Sequence, residues 1–151
     1  MYDEILVPYD GSDEAMKGAD DAIQLAAAVG ASIRALYVIN ISGTPRSVYI
    51  SQDDDELKED FRSYGREVAT DLCDRASEEG VDCSTVIRSG DVATEIVDYA
   101  DAEEMDLIMM GSGYKGAIGS LLGGKASKVV RNATVPVTTC RVTQSETPGK
   151  N

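Results

Sequence analysis

The chain has 151 residues, with 27 Asp and Glu against 14 Lys and Arg for a net charge of −13, and contains no histidine. That length suits one domain with a sizeable core, and no apolar run approaches the roughly 18 residues that a membrane span needs. The acidic balance speaks against nucleic acid, which is bound through Lys and Arg, and the lack of histidine removes Ser-His-Asp catalysis, Cys-His nucleophiles and nearly all His-containing zinc sites.

In chain order, Glu4-Ile-Leu-Val-Pro8 reads as a buried strand. Ala15, Ala19, Ala22, Ile23 and Ala26 then recur at helical spacing, with Gly30 as a stop. Ser32 to Ile39 is a second strand, and Asn40 to Gln52, which has no period, is a loop. Asp53-Asp-Asp-Glu56 opens a long helix whose apolar face is Leu57, Phe61, Tyr64, Val68, Leu72 and Ala76. Its four carboxylates complement the helix dipole and need no metal. Val81 to Arg88 is a third strand. Gly90-Asp91 leads into a helix with Val92, Ile96, Val97 and Ala100 inward.

Asp106 to Met110 forms a fourth strand, a helix runs from about Lys125 to Asn132, and Val135 to Cys140 is the fifth strand. Residues 1–142 form one domain, and 143–151 read as a polar, frayed tail. The alternation predicts an α/β three-layer sandwich with a parallel sheet covered by helices on both faces. Ligands of such sheets sit beyond the carboxyl ends of the strands, where the strand order reverses.

Acid is spread along the whole chain, which suits a salt-rich cytoplasm where screening removes self-repulsion. The acidic start Met1-Tyr-Asp-Glu is unlike a signal peptide, so a cytoplasmic protein, from a halophile, is expected. Cys73, Cys83 and Cys140 form no C-x-x-C pair and are expected to be buried thiols.

Six of the fourteen glycines fall between Gly111 and Gly124. A glycine-rich loop between strand and helix offers N–H groups beside a helix N-terminus, an arrangement suited to phosphate. Gly111-Ser-Gly113-Tyr-Lys-Gly116 matches the dinucleotide pattern G-x-G-x-x-G. That pattern should open the first βαβ unit and carry an acid about 20 residues later, and this one does neither. Gly119 to Lys125 approaches a P-loop, but Ala126 stands where the Mg²⁺-binding hydroxyl belongs. Leu121 and Leu122 read as core. Asp10-Gly11-Ser12 has two readings, a turn with a helix N-cap or a ligand contact.

Taken together, Ile5-Leu-Val-Pro-Tyr-Asp-Gly-Ser12, Met110-Gly111-Ser112, and Gly124 ahead of Asn132-Ala-Thr-Val-Pro-Val137 resemble the universal stress protein family across nearly the whole chain. The resemblance implies a five-stranded sheet in the order 3-2-1-4-5, of the adenine nucleotide alpha hydrolase-like type. It implies a homodimer, commonly paired through the last strand, and in many members bound ATP, with Mg²⁺ carried by the nucleotide. Carried onto this chain, Pro8, Tyr9 and Asp10 would line the adenosine side and Val38 would meet the adenine. Met110, Gly111, Gly113, Tyr114, Gly124, Lys125 and Ala126 would surround the phosphates. In the family's phosphate motif, G-x-x-G, nine residues, then G-[ST], Tyr114 takes the second glycine's place and Lys125 replaces the hydroxyl residue. The resemblance thus implies either an ATP-binding dimeric stress regulator or a dimeric interaction protein that takes no nucleotide. No nucleophile–base constellation is present, so any ATP hydrolysis is expected to be slow, with no catalytic residue and no metal ligand of the protein's own.

Overall fold

The computed structural model describes residues 2–40, 54–112 and 121–141. Five strands alternate with four helices: β1 (Glu4–Pro8), α1 (Asp13–Val29), β2 (Ser32–Asn40), α2 (Asp54–Glu78), β3 (Cys83–Gly90), α3 (Val92–Ala102), β4 (Leu107–Ser112), α4 (Leu121–Asn132) and β5 (Val137–Arg141). The strands are all parallel, in the order β3-β2-β1-β4-β5. The expected architecture is therefore the observed one. β1 lies at the centre, paired with β2 through Ile5↔Ile33 and Val7↔Ala35, and with β4 through Ile5↔Leu107. Ile5, Leu6, Val7 and Pro8 are all buried, as a strand covered on both faces requires.

Right-handed crossovers place α1 and α2 on one face and α3 and α4 on the other. On the first face, Tyr37 of β2 packs under Gly65 of α2. On the second, Arg34 of the same strand donates from Nη1 to the hydroxyl of Tyr99 on α3 at 2.5 Å and pairs with Glu4 at 3.6 Å. The Arg88 guanidinium lies 5.2 Å from the centre of the same tyrosine ring. The helix α1 is unusually small-faced: Ala15, Gly18, Ala19, Ala22 and Ala26 are its buried residues, with Glu14 and Ile23. Small side chains let the helix axis come close to the sheet.

Several boundaries differ from expectation. β3 starts at Cys83, not Val81, because the Val81 N–H is taken by the Ala76 carbonyl at 2.9 Å, which closes α2. β5 starts at Val137 because Pro136 has no N–H to give; its carbonyl accepts from Ile108 at 2.9 Å. Tyr64, expected on the apolar face of α2, is 55% exposed and meets Tyr37 edge-on at 6.0 Å between ring centres. The expected loop beyond Asn40, the 143–151 tail, and the side chains of Leu121 and Leu122 lie outside the described residues.

The cysteines correct the sequence reading. Cys73 and Cys83 are joined in a disulfide, with Cα atoms 5.1 Å apart, and Cys140 alone is a buried thiol. The nine residues between them are the end of α2, through Glu78, and the turn that leads into β3 at Cys83. The helix doubles back antiparallel to the strand, so Cys73 lies directly over Cys83. Nothing in the spacing alone signals that reversal.

Candidate functional site

The strand order reverses between β1 and β4, and ligands of such sheets sit in the crevice beyond the carboxyl ends of the strands at that point. After β1, Tyr9 turns into the α1–α2 face. It is 3% exposed, and its hydroxyl donates to the Met16 sulfur at 3.7 Å. Burial pushes the Tyr9 hydroxyl above its ordinary value; Arg75 opposes this, while Asp71, Asp20 and Asp10 add to it.

Asp10 is half-buried, and its Oδ1 accepts from the Ser12 N–H at 2.9 Å. Gly11 has φ +83°, which a residue with a side chain seldom adopts. Ser12 then caps α1 by accepting from the Ala15 N–H at 3.2 Å. The turn-and-cap reading of Gly11 and Ser12 is thus realised. Asp10 does not cap the helix; it makes an Asx turn one step earlier.

After β4, Met110 is fully buried. Gly111 lies so close to the first turn of α1 that a Cβ there would stand 1.6 Å from the Glu14 carbonyl oxygen. The converse holds at Gly18, whose Cβ would stand 2.5 Å from the Gly111 nitrogen. The first glycine of the expected phosphate motif is therefore required by packing whether or not a phosphate is bound. Gly113 and Tyr114 lie outside the described residues.

Across the crevice, α4 already runs from Leu121, four residues before the expected start. Gly124 and Lys125 consequently sit within its opening turns. Lys125 is half-buried and Ala126 is 5% exposed. Lys125 and Lys128 both lie near enough to Asp91 for their charge to reach it. Asp91 caps α3, accepting from the Thr94 hydroxyl at 2.8 Å and the Thr94 N–H at 3.1 Å. Those two hydrogen bonds hold its carboxyl below the ordinary aspartate range, with the two lysines adding to the effect. Val38, near the end of β2, is partly buried on the α3–α4 face.

Two residues of this neighbourhood carried no signal in the sequence. Glu14, in the first turn of α1, is 7% exposed and is the buried charged residue of the core; no partner for its carboxylate appears among the described residues. The helix N-terminus favours that charge. Tyr37 stands at the inner wall beside α2. Burial pushes its hydroxyl upward, and Tyr64 and Asp10 contribute in the same direction, so the aromatic pair borders the Asp10 loop. A groove of about 660 Å³ lies elsewhere, between the later turns of α1 and α2, lined by Asp20, Gln24, Arg75 and Glu78 among others. It contains none of the expected site residues. Among the described residues there is no cluster of three or more metal-binding side chains, and no helix is long and apolar enough to cross a membrane.

The sequence model of the universal stress protein family matches residues 1–141. A universal stress protein of Methanocaldococcus jannaschii is 36% identical over 141 residues, covering 91% of this chain and 81% of its own. Among solved structures, the universal stress protein UspA from Lactobacillus plantarum superimposes with a TM-score of 0.76 at 27% identity, covering 93% of this chain and 98% of its own. A universal stress protein in complex with cAMP superimposes with a TM-score of 0.65 at 25% identity, covering 94% and 99% of the two chains. With the family model spanning nearly the whole chain and the fold in agreement, this chain belongs to the universal stress protein family.

Proposed function

We propose that this protein binds adenine nucleotide, ATP with its Mg²⁺, in the crevice between loops 9–12 and 110–126, and that as a homodimer it reports the occupancy of that site in a stress response. The observation that carries this reading is the strand-order reversal between β1 and β4, the two strands followed in the chain by α1 and α4. Anionic groups are favoured at helix N-termini by the backbone N–H groups of the first turn and by the helix dipole. The cAMP-bound relative supports a nucleotide in this fold. Pro8, Asp10 and Val38 would address the nucleoside. Gly111, Gly113, Tyr114, Gly124, Lys125 and Ala126 would lie along the phosphates, and Met110 and Tyr9 would support them from the core. The Mg²⁺ would be brought by the phosphates and would neutralise their charge. The domain of residues 1–142 would act as one unit, in a cytoplasm whose salt screens the acidic surface.

A second reading, a dimeric interaction protein that takes no nucleotide, has a specific observation in its favour. Asp10 is already engaged by Ser12 N–H, Gly111 is accounted for by packing, and Lys125 stands near the carboxylate of Asp91.

Calorimetric titration with ATP and Mg²⁺ at high salt separates the two. Nucleotide binding predicts saturation that weakens about ten- to a hundredfold in Lys125→Ala, the loss expected for one charge-assisted contact. A flat titration at millimolar ATP leaves the interaction protein. Sedimentation of the same sample tests the dimer, and phosphate release tests turnover, which is expected to be slow.

A further inference from the structure

The Cys73–Cys83 bridge ties the carboxyl half of α2 to the first residue of edge strand β3. Both cysteines are half-buried residues at the margin of the core. We propose that this pair is a thiol–disulfide exchange site, read by a small dithiol reductant or a dithiol protein, and that its state sets how freely α2 opens from the sheet. This inference stands apart from nucleotide binding.

The exchange balances within the pair. A thiolate of the reductant attacks one bridge sulfur, forming a mixed disulfide and releasing the other cysteine as a thiolate, which takes a proton. The second thiol of the reductant then closes its own disulfide and frees the remaining cysteine. The protein gains two electrons and two protons, and the dithiol becomes a disulfide. A disulfide oxidant reverses the step.

Three observations favour a reversible device over a fixed staple. First, the fold around the bridge has other support: Val68, Ala69, Leu72 and Ala76 form the buried face of α2, and Val81 N–H closes its end on the Ala76 carbonyl. The reduced chain therefore keeps its architecture. Second, no internal thiol competes. Cys140 sits on β5, the opposite edge of the sheet, and burial, with Asp21 adding, pushes its thiol up to about 12, leaving almost no nucleophilic thiolate. Third, the same helix reaches the crevice. Gly65 lies against the Tyr37 ring, and Val68 is the nearest side chain to Gly11 in the loop after β1. Loosening α2 at its carboxyl half thus bears on the wall of the Asp10 loop. Were the protein to work in a reducing cytosol, as proposed above, such a bridge would be of the transient, redox-sensing kind.

The test uses the full chain, purified without reductant and then equilibrated with millimolar dithiothreitol under native conditions. Thiol titration after denaturation should count one thiol before and three after. Amide exchange in α2 between residues 69 and 76 should speed up on the order of a hundredfold on reduction, the loop-closure effect expected for a bridge of this span. Cys73→Ser/Cys83→Ser should show the fast exchange in both conditions, and Cys140→Ser should respond as the parent does. Three free thiols in the air-purified protein, a bridge that survives the dithiol in the folded state, or α2 exchange unchanged on reduction would each overturn the proposal.

Discussion

Replacing Gly111 with alanine isolates the structural demand on the glycine loop from any demand of a ligand. The added Cβ would stand 1.6 Å from the Glu14 oxygen, 2.3 Å from the Glu14 carbonyl carbon and 3.0 Å from the Ala15 nitrogen. All three are backbone atoms, so no change of rotamer relieves the clash, and α1 must retreat from β4. That retreat also loosens Ala15, Ala19 and Ala22, which are fully buried between helix and sheet. Overpacking of a core costs typically 1–3 kcal/mol, and a clash borne wholly by backbone belongs at or above the top of that range, about 3 kcal/mol. For a chain of this size such a loss lowers Tm by roughly 6–12 °C. Far-UV circular dichroism of nucleotide-free protein, melted thermally and in urea, reads the change. Were Gly111 needed only for close approach to phosphate, the nucleotide-free variant would melt within a degree or two of the parent, and that result would refute the packing argument.

Ser12→Ala removes the cap of α1 while leaving the Asp10 turn, and should cost on the order of 1 kcal/mol in urea denaturation, with Ser12→Asp close to neutral. Asp91 has its folded pKa depressed, chiefly by the Thr94 hydrogen bonds. Its contribution is present above the ordinary aspartate range and is lost as pH falls through the folded value. Protection of the first α3 amides should therefore drop in acid, and Asp91→Asn should flatten that dependence. The Cys140 thiol is pushed up to about 12, so it stays protonated through neutral pH. Iodoacetamide should leave it unmodified in the folded protein and alkylate it after denaturation; rapid native labelling would contradict the burial. Because that shift is upward, its stabilising contribution is complete below the ordinary thiol value and is lost as pH rises above it.

Much of the site was legible locally. Asp10-Gly-Ser12 announces a turn and a cap because these side chains hydrogen-bond backbone groups two or three residues away, and the structure places both bonds there. The role of Gly111 was not legible in the same way. A glycine beside a strand end reads as a phosphate contact or as a close approach to another chain segment, and only the position of α1 shows the second. Tyr64 failed for a related reason. Helical periodicity assigns it to the inner face, but β2 presents the bulky Tyr37 under Gly65, and the ring of Tyr64 is deflected outward to meet it edge-on.

The sequence alone determined the alternation of strands and helices, and from it the parallel sheet, because periodicity and turn chemistry are short-range properties. Strand order followed from the resemblance carried by the motifs after β1 and β4. Tertiary structure decided which distant residues share a neighbourhood. It brought Cys73 onto Cys83, the charges of Lys125 and Lys128 towards Asp91, and the backbone of Glu14 onto Gly111. These contacts depend on how far a helix stands from its sheet and where its axis turns. Those distances are set by the packing of side chains far apart in the chain, and no local pattern records them.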